Sequence, residues 1–331
     1  MQRLDYIDRM KGLAILSVVL GHIYLPYTTE GAMHPIAKII YSFHMSFFFF
    51  LSGFINQKTN AISTKGWMNY IYKKFNSLLI PYLFWLIIAP LFLYNSYPTN
   101  LRSLTELFSF FPNRHIWFLP TLFIFMMLYL ILYKISKIKK SNQIQLEMLL
   151  EAISVCCWGI CGLIFNQYYL IIYGIYWFSF LLGNSISKYQ TFNSFITTNF
   201  VWGISTIILC LAWKFYPLEV NGVGWRSLIN LMLSSICAFC GSITIYNFFL
   251  KAQTPRWIQK YLQEIGKFSL VIYVVPIVLL PKDFLFPESI PETLINLCIL
   301  GIGILHTFIS YTFGRIVFEI PYLRYIMFGK K

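Results

Sequence analysis

The first long apolar run of the chain reads Lys11-Gly-Leu-Ala-Ile-Leu-Ser-Val-Val-Leu-Gly-His22 and continues to about residue 28. A helix needs about 17–25 mostly apolar residues to cross the hydrocarbon core of a bilayer. Basic residues precede this run, as in a signal peptide, but no small-x-small cleavage site follows it. We therefore interpret residues 12–28 as an uncleaved first transmembrane helix.

The composition of the chain indicates that the rest of it also lies in a lipid bilayer. Of the 331 residues, 58% are hydrophobic and 11% are charged, whereas soluble domains average about 25% charged residues. A chain this apolar cannot hide its hydrophobic side chains in one water-soluble core. No Pro-, Gly- or Ser-rich linker divides the sequence. We expect one integral membrane domain over residues 1–331.

Nine further apolar runs follow the first one. With it, the candidate spans lie at about 12–28, 35–55, 77–95, 116–133, 149–165, 168–187, 196–215, 227–250, 267–281 and 292–314. Only two residues separate the fifth run from the sixth, which predicts a tight hairpin. The ninth run is short and contains Pro276 and Pro281, so it could be broken or re-entrant. The sequence predicts an all-α, polytopic helical bundle of about ten transmembrane helices.

The distribution of Lys and Arg predicts the orientation of these spans. The net charge of +14 could suggest nucleic-acid binding, but the basic residues lie in short loops between apolar runs. If the N-terminus is inside, few of the 26 basic residues fall on the outer side: Lys38, Arg102, Arg114, Lys214, Arg226 and Lys282. Cytoplasmic loops carry an excess of Lys and Arg. We predict cytoplasmic N and C termini and no nucleic-acid partner.

Two histidines stand out because polar groups are costly inside a membrane. Lys11 and His22 are eleven residues apart, so a helix would put them on nearly the same face, about 16 Å apart along its axis. His44 lies in the second run, and both histidines would sit toward the outer half of the membrane. Histidine commonly transfers protons near neutral pH. It also serves as a hydrogen-bonding residue between helices, and Lys11 could be an ordinary basic flank.

The seven cysteines do not point to a metal. All of them fall inside apolar runs, and Cys237 and Cys240 form a C-x-x-C with no second pair. A structural zinc site takes four ligands, so we expect no metal.

Several of these stretches resemble the acyltransferase-3 family of integral membrane O-acyltransferases, in a branch similar to fucose O-acetylases. The family's first-helix signature is a basic residue, ten others and then His, which Lys11 and His22 match. Four other stretches are similar to its later motifs: Phe43–Phe54, Tyr72–Tyr82, Ile116–Pro120 and Ile265–Tyr273. The chain departs from the pattern at Ser46, where Pro is frequent, at Lys74, where Arg is usual, and at Pro276, where many members have His.

The resemblance implies an enzyme that moves an acetyl group from acetyl-CoA to a sugar hydroxyl. Lys11, Lys73 and Lys74 would hold the phosphates of CoA at the cytoplasmic face. His22 would be the general base. His44 would orient His22, donate to the developing oxyanion or bind the acceptor, and these roles stay open.

The acceptor implied by the resemblance is a glycan, such as a lipopolysaccharide, a capsule, an exopolysaccharide or an oligosaccharide. His115 and Trp117 would contact it at the outer side, and the enzyme would lie among the lipids of the bacterial inner membrane. Two other classes share the many spans: a transporter or flippase for a lipid-linked saccharide, and a polysaccharide polymerase. Transporters are frequently built from internal repeats, and no repeat is visible here.

Overall fold

The structure is a computed structural model that describes residues 5–28, 34–58, 66–93, 116–137, 143–165, 167–216, 225–279, 286 and 290–330. Its regular elements within these ranges are helical, which confirms the all-α prediction. The α-helices are α1 Asp5–Tyr27, α2 Pro35–Lys58, α3 Trp67–Lys74, α4 Ile80–Leu93, α5 Phe118–Ser136, α6 Gln143–Ile164, α7 Tyr168–Lys188, α8 Gln190–Ile196, α9 Asn199–Phe215, α10 Trp225–Lys251, α11 Arg256–Lys267, α12 Ser269–Leu279, α13 Glu292–Glu319 and α14 Pro321–Phe328. A π-helical turn, Phe75–Leu79, joins α3 to α4.

Within the described ranges, seven helical stretches are long and apolar enough to cross a membrane. They are Pro35–Asn56, Trp67–Ile88, Phe118–Ser136, Ile144–Ile164, Tyr169–Lys188, Ile229–Lys251 and Glu292–Glu319. An eighth would be α8 with α9, which meet at a bend of 58°. The chain is therefore a multi-pass membrane protein.

The first and ninth predicted spans are not among these seven or eight. The first turns of α1 carry charged residues, and α12 has only 11 residues. A helix of that length reaches about 16 Å, whereas the hydrocarbon core is about 30 Å thick. Every predicted span coincides with a helix, while the count of ten and the positions of the termini stay predictions.

Contacts group the chain into two units. The first comprises Met1–Thr59, Val155–Tyr273 and Leu280–Tyr311, and the second comprises Asn60–Ser154, Val274–Leu279 and Thr312–Lys331. In the first unit, α2 and α7 cross with their backbones in contact. A Cβ on Gly53 would collide with the carbonyl oxygen of Phe180, and a Cβ on Gly183 with that of Phe50. Small residues permit such close crossings in membranes.

A second glycine crossing in the first unit joins α1 to α11. A Cβ on Gly12 would collide with the carbonyl oxygen of Leu262, and a Cβ on Gly266 with that of Asp8. The start of α1 is therefore held directly against α11. The predicted hairpin is also present, because α6 ends at Ile164 and α7 begins at Tyr168, and Trp158 lies 3.0 Å from a Cβ built on Gly174.

The second unit contains the π-helical turn and the C-terminal helix. The indole nitrogen of Trp85 on α4 donates to the carbonyl oxygen of Met327 on α14 at 3.0 Å. After α14 the chain turns at Gly329, whose φ is +63°. A Cβ built on Gly329 would collide with the backbone of Asn76 in the π-helical turn. A side chain at this position would meet both a strained φ and a backbone clash.

Candidate active site

Helix α1 carries both Lys11 and His22 without a break. It extends from Asp5 to Tyr27, so the eleven-residue spacing places the two side chains on nearly one face, about 16 Å apart along the axis. His22 is partly exposed. Lys11 therefore lies near the first turns of α1 and His22 near its last turns, and the roles of both residues stay predictions.

Lys11 is held by its neighbour on the same helix. Its ammonium lies 3.8 Å from a carboxylate oxygen of Asp8, and the two side chains are 30% and 5% exposed. Because the backbone of Asp8 packs against Gly266 of α11, this ion pair is fixed in position at the α1–α11 crossing. The ammonium keeps enough exposure to meet an anionic ligand.

A close approach between α1 and α2 occurs one residue before His22. A Cβ built on Gly21 would lie 3.3 Å from Ile40 and 3.6 Å from the ring of Tyr41. The hydroxyl of Tyr41 donates to the carbonyl oxygen of Gly21 at 3.0 Å. Ile40 is one turn before His44 on α2, so the contact brings the histidine-bearing turns of the two helices together.

His44 is buried and its ring is held from two sides. Its Nδ1 lies 2.8 Å from the carbonyl oxygen of Ile40, and its ring meets that of Tyr41 edge-on at 5.2 Å between centroids. A carbonyl oxygen can only accept, so Nδ1 carries the proton. In the neutral ring, Nε2 then offers a lone pair.

Tyr41 is the residue of this site that the sequence analysis missed. Its hydroxyl bonds to the backbone beside His22, and its ring contacts the ring of His44. The signal was present as a spacing: Tyr41 precedes His44 by three residues, which puts both on one side of a helix. Its partner, however, is a backbone carbonyl, which no side-chain pattern reveals.

The remaining predicted site residues belong to the second unit or fall outside the described residues. Lys73 and Lys74 end α3 in the second unit, where the Lys74 ammonium lies 5.4 Å from the ring centroid of Tyr70. Trp117, also in that unit, is a partly buried turn residue whose carbonyl accepts from the Thr121 hydroxyl. His115 lies outside the described residues.

The described residues include two further histidines. His34 is 3% exposed, stacks on Tyr24 and lies 3.2 Å from a carboxylate oxygen of Glu292. His306 is partly exposed on α13. Among the described residues, no group of three or more His, Cys, Asp or Glu side chains could hold a metal ion.

Comparisons with known proteins show the family to which the chain is similar. The acyltransferase-3 family, described as an acyltransferase domain, matches residues 4–315. The chain is also similar to the nodulation protein NolL of Mesorhizobium japonicum, with 37% identity over 82 residues. That match covers 24% of this chain and 21% of the relative, so the chain spans about a fifth of the curated relative it matches. No solved structure matches the chain.

Proposed function

Because this chain belongs to the acyltransferase-3 family, we propose that it is an O-acetyltransferase of the bacterial inner membrane that moves acetyl from acetyl-CoA to a hydroxyl of a cell-surface or lipid-linked sugar. The observation that carries the proposal is the contact of α1 with α2 at Gly21, beside His22 and one turn from His44. His22 and His44 each lie within about one helical turn of this contact, and Lys11 is on nearly the same face of α1 as His22.

The donor end of the site is Lys11. Coenzyme A carries several phosphates and a long thin arm that ends in the thioester. An ammonium that is 30% exposed and directed by Asp8 suits a phosphate. The arm would then follow α1 for about 16 Å and bring the thioester to His22. Lys73 and Lys74, in the second unit, keep their predicted phosphate-binding role as a proposal.

His22 is the proposed general base. As the sugar oxygen attacks the thioester carbonyl carbon, His22 removes the hydroxyl proton and a tetrahedral intermediate forms. Its collapse breaks the carbon–sulfur bond, and the protonated His22 returns the proton to the departing thiolate. The products are the acetyl ester and free CoA. Proton transfer of this kind contributes about 10²–10⁴ in rate.

The hydrogen bond of His44 narrows its three predicted roles. Since Nδ1 is bonded to the carbonyl oxygen of Ile40, Nε2 is the nitrogen that we assign to the reaction. In the neutral ring Nε2 accepts a hydrogen bond, so it can hold an N–H of His22 or a hydroxyl of the acceptor. Donation to the oxyanion would require a charged imidazole in a buried site, where charge is costly. We favour the orienting or acceptor-binding role.

The test is consumption of acetyl-CoA with acetylation of a glycan. Membranes of cells that express the full chain receive acetyl-CoA labelled in the acetyl group, and surface glycans of expressing and deletion cells are compared by mass spectrometry. We expect release of free CoA and a gain of about 42 Da per acetylated hydroxyl, the mass that acetyl adds in place of hydrogen. A saccharide transporter would deliver glycan without using acetyl-CoA, and that result would refute the proposal.

A further inference from the structure

Helix α11 lies along the charged end of α1. The Arg9 guanidinium donates to the Gln259 side chain at 2.7 Å, and the Gln263 amide donates to the Asp5 carboxylate at 2.7 Å. The helix has 12 residues, so its length of about 18 Å is well short of the hydrocarbon core. Since its partners are the charged first turns of α1, α11 has the character of a helix that lies at a membrane surface.

The side of α11 that faces α13 forms a cleft with it. The cleft has a volume of about 320 Å³ and largely apolar walls, and it is lined by Trp257, Lys260, Tyr261, Glu264, Ile265, Phe308 and Tyr311. Pockets of about 300–1,000 Å³ hold small ligands in proteins. All seven residues belong to the first unit.

Most polar groups of this cleft are already bonded within the protein. The Tyr261 hydroxyl lies 2.8 Å from the Thr307 hydroxyl. Glu264 pairs with Lys267 and accepts from the Tyr311 hydroxyl at 3.4 Å, which offsets its charge. Because Lys267 offsets the charge of Glu264, Lys260 leaves the rim of the cleft with a positive charge.

The positive charge of the rim comes from Lys260, one of the residues that line the cleft. Lys260 is exposed and, within the part of the chain that the structure describes, has no ion-pair partner. Arg256, one turn earlier, is also exposed. Trp257 lies between them and is 72% exposed, as is usual for tryptophan at a membrane interface.

We propose that this cleft binds an anionic glycerophospholipid. One acyl chain lies against the apolar wall at Ile265 and Phe308, and the headgroup phosphate lies beside Lys260. Three features favour this occupant: the cleft sits at the interface, its wall is apolar, and the charge that Lys260 places on its rim is positive. A zwitterionic lipid would bring a second positive group toward Lys260. This proposal does not depend on acetyl transfer.

The experiment measures lipid binding by the full chain. Purified protein is placed in nanodiscs of phosphatidylcholine that contain increasing fractions of phosphatidylglycerol. Bound lipids are counted by native mass spectrometry, and the thermal midpoint is recorded. We expect phosphatidylglycerol to stay bound and to raise the midpoint above that in phosphatidylcholine alone. Equal retention and equal midpoints for both lipids would overturn the proposal.

Two variants test the two halves of the site. Lys260→Gln should weaken phosphatidylglycerol binding about fivefold, whereas Lys137→Gln removes an exposed charge at the end of α5 and should leave binding unchanged. Phe308→Ala truncates the apolar wall. Phe308 is 59% exposed, so folding should survive the change, and Phe200→Ala, at 76% exposure on α9, is its control.

The pattern of losses decides the outcome. Loss of binding in both Lys260→Gln and Phe308→Ala, with both controls intact, supports a lipid in the cleft. Wild-type binding by Lys260→Gln overturns the headgroup contact. Wild-type binding by Phe308→Ala also overturns the proposal, because the anionic lipid would then be held by surface charge alone.

Discussion

His22 and His44 differ in how the protein holds them. His22 is partly exposed, while His44 is buried and bonded to the backbone through Nδ1. A base that meets an incoming hydroxyl must be reachable, and a residue that orients it must be fixed. The exposure pattern therefore fits His22 as the base and His44 as its support.

Replacement of His22 tests the first role. His22→Ala should lower kcat for acetyl transfer by about 10²–10⁴-fold, because the general base is lost. Lys11 is untouched, so the apparent KM for acetyl-CoA should change little. His306→Ala is the matched control, since it also removes a histidine from an apolar helix. Equal activity of the two variants would remove the general-base role from His22.

Two replacements of His44 distinguish the roles of its two ring nitrogens. The change His44→Asn places an amide near the position of Nδ1 and keeps the bond to Ile40, whereas His44→Gln places an amide near the position of Nε2. If Nε2 faces the chemistry, His44→Gln should retain more activity than His44→Asn, and His44→Asn should keep the stability of the wild type. Activity and thermal midpoint of both variants are measured together. The reverse order of activities would assign the function to Nδ1.

At the scale of helices, glycines determine which backbones touch. Gly53 and Gly183 join α2 to α7, and Gly12 and Gly266 join α1 to α11. These crossings position the site, because α2 carries His44 and α1 carries Lys11 and His22. The sequence predicted a helix at each apolar run but could not name these pairs, and it did not predict α11, most of which lies before the ninth run. A glycine in an apolar run looks the same whether it faces another backbone or lipid.

Gly203 provides the comparison that tests this point. A Cβ on Gly203 of α9 would meet nothing within 4 Å, while a Cβ on Gly53 would strike backbone. Overpacking of a tight contact costs about 1–3 kcal/mol or more, so Gly53→Leu should reduce the yield of folded protein and its thermal midpoint. Gly203→Leu should match the wild type. If both variants behave alike, the α2–α7 crossing is not as close as described.

At the scale of the whole molecule, the predicted arrangement of transmembrane spans depends on the distribution of Lys and Arg and on the length of the apolar runs. The helical fold and the membrane class follow from composition and apolar runs, because backbone groups in a bilayer must bond within the chain. Topology does not follow as directly, since α12 is short and α8 with α9 is bent. The contact of Tyr41 in the candidate site was beyond prediction because its partner is a backbone atom on another helix.

Reporter fusions test the predicted topology. Green fluorescent protein fused to the C-terminus should fluoresce, because it folds in the cytoplasm. Alkaline phosphatase fused after Gln167, in the predicted outer hairpin, should be active, while the same enzyme fused after Lys188 should be inactive. An active phosphatase at Lys188 or a dark C-terminal fusion would contradict the predicted orientation.

The unbroken α1 helix has a consequence for donor choice. Because one continuous helix fixes the distance between Lys11 and His22, the enzyme would select acyl donors by the distance between their anionic end and their carbonyl carbon. Truncated thioesters should then acylate slowly even where they bind. An insertion in α1 between these residues would also change the helix face on which His22 lies. One inserted residue turns His22 by about 100° away from Lys11. In this protein, register along a single helix would set substrate specificity.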